Sequence, residues 1–169
     1  MAERLLLVAI VFGSMLVEAQ RASANERAQR ARGGVEPAGD VYRIMQIVYP
    51  GAFAAMFAEG LLRGTPSVAV LLTGALIFLT AKLLKWWAIL TLGPFWTFRV
   101  IVVPGAELVV AGPYRWLRHP NYVGVMGELA GAALMTGALV SGVAGIATFG
   151  LLVWRRVAVE ERALRAAAP

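Results

Sequence analysis

The chain has 169 residues, 59% of them hydrophobic and 15% charged, with 16 Lys and Arg against 10 Asp and Glu, a single His and no Cys. A mean hydropathy of +0.70 excludes an ordinary water-soluble domain of this size. The missing cysteines exclude disulfides, thiolate metal sites and cysteine nucleophiles, and one histidine cannot build a multi-histidine metal centre, so no metal is expected. The net charge of +6 fits cations gathered at lipid phosphates; no basic run interleaved with stacking aromatics lies away from the membrane-flanking positions, so no nucleic-acid partner is expected.

Leu5 to Val17 is a nearly unbroken apolar run, followed by an Ala- and Arg-rich stretch from Glu18 to Gly34. The run and the small residues Ala22-Ser23-Ala24 have the outline of a secretory signal. Glu18, Gln20 and Arg21 stand between them, however, and an uncleaved first span whose polar continuation projects into water is expected. Val41 to Leu62 is a second span, interrupted by Pro50-Gly51, which would kink a helix that its neighbours still satisfy. Ser67 to Leu92 is the third; it exceeds the roughly 20 residues needed to cross the hydrocarbon core, with Lys82 and Lys85 expected to snorkel and Trp86 and Trp87 to sit at the interface.

From Gly93 to Asn121 the pattern turns β-like or irregular, broken by Pro94, Pro104-Gly105 and Gly112-Pro113. Tyr122 to Trp154 is again apolar and too long for one span, so Gly137 and Ser141-Gly142 are read as the turn between two antiparallel helices. Gly127 and Gly131 form a small-xxx-small pair that allows close helix approach. A helix from Arg155 to Ala167 closes the chain. The reading is all-α: an integral membrane bundle of about five spans in one domain, 1–169, with three spans in 1–92 and the remainder in 93–169. Segments 18–43, 82–122 and 155–169 then share one side and hold 14 of the 16 Lys and Arg, leaving Arg4 and Arg63 opposite. That asymmetry predicts the N-terminus outside and the 82–122 and 155–169 segments in the cytoplasm.

The stretch Gly112-Pro-Tyr-Arg-Trp-Leu-Arg-His-Pro-Asn-Tyr122 concentrates three aromatic rings, two prolines and the one histidine. Taken alone, its cations and rings describe an interfacial belt. In order, Gly112-Pro113-Tyr114 followed by Arg118-His119-Pro120-Asn121-Tyr122-x-Gly124 resembles the signature of the isoprenylcysteine carboxyl methyltransferase family, integral membrane enzymes that use S-adenosylmethionine. Arg156-Val-Ala-Val-Glu160-Glu161 resembles that family's C-terminal element, one helical hairpin later, and Ala106 to Tyr114 resembles its strand-like approach. The likeness covers roughly residues 80 to 165.

The resemblance implies that S-adenosylmethionine binds against Leu108, Val109, Tyr114, His119, Pro120, Asn121, Tyr122 and Glu160 in the 93–169 half, with S-adenosylhomocysteine as product. Glu160 suits the methionyl ammonium and the tyrosines the adenosine, while His119 positions the cofactor rather than serving as base. Arg156 corresponds to an arginine that orients the acceptor, its alternative being a phosphate-facing cation beside Arg155. Glu161 reads as a partner of Arg165 at i+4. Glu128, four residues past Gly124 and deep in the fourth span, is a functional candidate by its depth: it takes an acceptor proton or bonds a neighbouring helix. Glu59 reads as interfacial.

A lipophilic small-molecule acceptor entering from membrane lipids is implied. The segment Trp96 to Gly105, with Gly127-Glu128-Leu129, looks like bacterial relatives that methylate alkylpyrones or alkylresorcinols, whose acidic heads would suit Arg156 and also Arg99. A bacterial inner-membrane location with the site facing the cytoplasm follows. Sterol-type membrane reductases, which share Arg-His-Pro-x-Tyr and use a nicotinamide cofactor, often carry an acidic residue where this chain has Val125; they are one alternative, and a non-enzymatic scaffold or transporter is the other.

Overall fold

The computed structural model describes the backbone of residues 2–167 and the side chains of residues 6–166; Arg4 lies outside the described side chains. Five helices account for the architecture: α1 (Ala2–Ala31), α2 (Tyr42–Arg63), α3 (Val68–Leu92), α4 (Pro120–Thr136) and α5 (Leu139–Ala167). Four of them are long and apolar enough to cross a bilayer. The fifth, α4, has 17 residues and spans about 26 Å at 1.5 Å per residue, slightly less than the hydrocarbon core. Leucines such as Leu62, Leu72, Leu76, Leu83 and Leu151 face outward, as lipid solvation permits and water does not.

Cross-bundle contacts fix the directions. Ser14 meets Lys82 and Asn25 reaches Gly93, so α1 and α3 are parallel. Glu59 meets Ser141 and Tyr49 packs on Phe149, so α2 and α5 are antiparallel. In the α3–α4 pair a Cβ on Gly131 would lie 2.6 Å from the Phe78 nitrogen and 2.7 Å from the Gly74 oxygen. Gly127 likewise faces Ala81, so the small residues do let these backbones touch. The core between the helices is built from Phe53, Met56, Leu129, Ala132 and Phe149. Consequently the C-terminal ends of α1, α3 and α5 and the N-terminal ends of α2 and α4 gather at one end of the bundle.

Several expectations are corrected. The polar half of α1 does not simply project into water: the helix runs unbroken to Ala31, with Glu18, Ala22 and Gln29 buried. Its amides have work to do, because the tight turn Gly93–Phe95 frees carbonyls that Asn25 and Gln29 satisfy at 2.8–2.9 Å. The second span, by contrast, is one helix that continues through Pro50, as expected. The connection 93–119 forms two short 3-10 turns and a single antiparallel bridge, Val35 to Val102, not a strand; residues 106–110 have no ladder partner. The hairpin turn falls at Gly137, whose φ is +70°, while Ser141 and Gly142 are already helical. Arg155 to Ala167 is the continuation of α5 rather than a separate helix.

Candidate active site

Local chemistry fixes the first wall of the site. Gly112 has φ +54°, and a Cβ there would meet Thr91 Oγ1 at 2.5 Å, so glycine lets the Gly112–Arg115 turn dock on α3. Pro120 then opens α4 at a position where no amide hydrogen is needed, and the His119 carbonyl accepts the amides of Tyr122 and Val123. This sets the His119 ring over Tyr122, with centroids 5.6 Å apart. His119 Nδ1 lies 3.9 Å from Glu160 and Nε2 3.4 Å from Glu161. Tyr122 donates to Glu160 at 2.8 Å. Tyr114 is half-buried nearby, and burial, with the Glu160 carboxylate adding to it, pushes its phenol well above the ordinary value.

The two adjacent glutamates differ. Glu161 receives Arg118 at 3.2 Å and Arg165 at 3.1 Å, so its partnership with Arg165 is present and its charge is compensated. Glu160 has only the Tyr122 hydroxyl and the distant His119; no Lys or Arg among the described residues pairs with it. It is a half-buried carboxylate between aromatic rings with capacity left for a cation.

Arg156 is 4% exposed, which overturns its reading as a phosphate-facing cation. Its Nε donates to Tyr122 Oη at 2.7 Å, Nη1 to Asp40 at 2.8 Å and Nη2 to the Phe98 carbonyl. Beneath it lies a cavity of about 490 Å³, walled by Phe12, Met15 and Leu16 of α1, Met45 and Tyr49 of α2, and Val125 and Phe149. Arg156, Tyr122 and Asn121 form its polar head, Asn121 accepting from Trp96 Nε1 at 3.3 Å, while Glu18 and Lys85 line its deeper end. The exposed Leu16 and Gln46 stand on its walls, so it opens between α1 and α2. A hydrophobic molecule can reach it from the bilayer without crossing water.

About 10 Å deeper, seven α2 residues on from Tyr42, a buried charge cluster ties four helices together. Lys85 pairs with Glu18 at 2.7 Å and Glu128 at 3.2 Å; Lys82 pairs with Glu128 at 3.0 Å and Glu18 at 3.4 Å. Tyr49 donates to Glu128. Lys85 is therefore not snorkelling but 2% exposed, since its chain turns inward across Gly124, which has no side chain to block it. Glu128 bonds its neighbours here and does not line the cavity.

Other sequence candidates lie elsewhere. Leu108 is exposed and Val109 half-buried, on the unpaired stretch before Gly112. Arg99 is bound to Glu26 and Glu36, each at 2.9 Å, and sits over the Tyr42 ring, so it is not available to an acceptor head. Glu59 accepts the amides of Val140 and Ser141 at the opposite end of the bundle. Asp40 and Glu18 were missed; an acid just before an apolar helical run was the only signal for Asp40, and it reads as a helix start.

A membrane-embedded helical bundle with an aromatic and acidic cluster at one end, joined through Tyr122 to a lipid-accessible cavity, defines the class. The chain belongs to the isoprenylcysteine carboxyl methyltransferase (ICMT) family, whose model matches residues 72–166. It is thus a member of a family of membrane methyltransferases. An uncharacterised protein, YpbQ, of Bacillus subtilis is 31% identical over 95% of both chains. An uncharacterised protein of Haemophilus influenzae is 22% identical over 94% of this chain and 90% of its own. No solved structure matches.

Proposed function

We propose that the protein transfers a methyl group from S-adenosylmethionine to an oxygen of a lipophilic acceptor at the cytoplasmic boundary of the membrane. The observation that carries this reading is Tyr122, whose hydroxyl contacts Glu160 on one side and Arg156 at the head of the cavity on the other. The cofactor-side residues fit the group: Glu160 is a half-buried carboxylate without a Lys or Arg partner, flanked by His119, Tyr122 and Tyr114.

Glu160 would hold the ammonium, the rings of Tyr114, His119 and Tyr122 would take the adenosine, and Asn121 at the helix start would border both compartments. Leu108 and Val109 would close over them from the segment before Gly112. Bound there, S-adenosylmethionine would supply an electrophilic methyl group to the acceptor oxygen, its sulfur keeping the electron pair of the broken S–C bond so that S-adenosylhomocysteine is the product.

The chain's own contribution is orientation and water exclusion. Arg156 aligns the acceptor oxygen, Tyr122 fixes Arg156 relative to the cofactor side, and the apolar walls between α1 and α2 hold the tail. Such positioning suffices for in-line transfer without a triad or metal. The acceptor class covers phenols or enols of the alkylpyrone and alkylresorcinol type and lipid-linked carboxylates. The test incubates purified protein with labelled S-adenosylmethionine and matched panels of alkylpyrones, alkylresorcinols and farnesylcysteine analogues. Saturable transfer to at least one panel is expected, and no transfer to any would contradict the reading.

A further inference from the structure

Asp40 lies outside the segment matched by the family model, yet it holds the group at the head of the cavity. Its side chain is 3% exposed. One oxygen accepts from Arg156 Nη1 at 2.8 Å and from the Tyr42 amide at 3.1 Å; the other accepts from the Val100 amide at 2.9 Å. Two backbone amides, one at the start of α2, hold both carboxylate oxygens in place. Arg156 therefore meets the cavity as one half of a compensated pair. Three of its five N–H groups are used, leaving two to donate.

Among the described residues Arg156 is the only cation paired with Asp40, although the exposed Arg43 lines the cleft on its outer side. Arg99 belongs to Glu26 and Glu36, and Lys85, deeper in the cavity, to Glu18 and Glu128. Glu160 adds a further negative charge just beyond Tyr122. A carboxylate acceptor would have to share Arg156 with Asp40 in a desolvated space, where like charges at close range are costly. A hydroxyl acceptor enters neutral and takes a hydrogen bond from Arg156; its O–H proton is lost to bulk solvent as the O–C bond forms and the S–C bond breaks.

We propose that Asp40 is a positioning residue that holds Arg156 as a charge-compensated donor and thereby sets selectivity for acceptors whose reactive oxygen enters as a hydroxyl. The inference rests on the methyl-transfer reading above.

The experiment uses full-length protein in detergent and two acceptors with the same alkyl tail, one a phenol and one the corresponding benzoate. Binding in the presence of S-adenosylhomocysteine and kcat/KM with labelled S-adenosylmethionine are measured for both. The wild-type protein should favour the phenol by at least about tenfold in each measure. Asp40→Asn, which frees the charge of Arg156, should shift the ratio toward the benzoate by about tenfold or more, with S-adenosylhomocysteine affinity within roughly twofold of wild type. A merely structural role would lower both acceptors in proportion, and that result overturns the proposal. So does wild-type binding of the benzoate equal to that of the phenol, a comparison that decides the matter even where Asp40→Asn does not fold. Turnover of carboxylates alone overturns this inference and leaves methyl transfer standing; absence of both cofactor binding and turnover removes both.

Discussion

Tyr122 places one hydroxyl between Glu160 and Arg156, and the proposed function gives these two neighbours different roles. Glu160→Gln removes a charge-assisted bond of about 1.5–3 kcal/mol, so S-adenosylhomocysteine should bind roughly tenfold or more weakly by calorimetry. Arg156→Lys keeps the charge beside Asp40 but loses the planar fork. It should leave cofactor affinity within about twofold and lower acceptor kcat/KM by roughly 10- to 100-fold; an equal loss of cofactor binding in both variants would contradict this division. His119, Tyr122, Arg156 and Glu160 were legible only through the resemblance of their two motifs to the family, since taken alone they describe an interfacial belt; the structure brings the four together. Asp40 was not: its partner lies 116 residues away, and an acid in a polar linker looks like an ordinary helix start.

At the scale of elements, close packing and the inter-helix linker can be tested separately. Gly131→Ala pushes a methyl into the backbone of Phe78 and Gly74 and should cost about 1–3 kcal/mol. Gly13, with nothing within 4 Å of an added Cβ, should tolerate or gain from alanine by up to about 1 kcal/mol. Thermal unfolding in detergent checks both, and a larger loss at Gly13 would contradict the α3–α4 interface.

The linker after α1 is pinned by Glu36, bound to Arg30 and Arg99. Burial raises its pKa, but the two arginines outweigh that and hold it below the ordinary carboxylate value. A depressed folded pKa stabilises above the unfolded value and loses that contribution as pH falls through the folded one. The unfolding temperature of wild type should therefore fall more than that of Glu36→Gln between about pH 5 and pH 3. The hairpin of α4 and α5 was readable from length and Gly137. The inward turn of Lys82 and Lys85 was not, because snorkelling and buried pairing share the same sequence, and only Glu18 and Glu128, on two other helices, decide between them.

For the whole molecule, five helices put the described ends of the chain at opposite ends of the bundle. With 12 of the 16 Lys and Arg in the segments at the site end and Lys82 and Lys85 in the buried cluster below it, position 63 should face outward and position 32 inward. Single cysteines at Arg63 and Arg32 in intact cells should react with an impermeant reagent only at 63, and labelling of 32 would reverse the orientation. The central claim, that the aromatic and acidic cluster at this end is a cofactor site, is tested most directly by titrating the detergent-solubilised protein with S-adenosylhomocysteine and, separately, with NADPH. The account predicts saturable binding of S-adenosylhomocysteine, weakened in Glu160→Gln, and none of NADPH. Saturable NADPH binding without S-adenosylhomocysteine binding would contradict it.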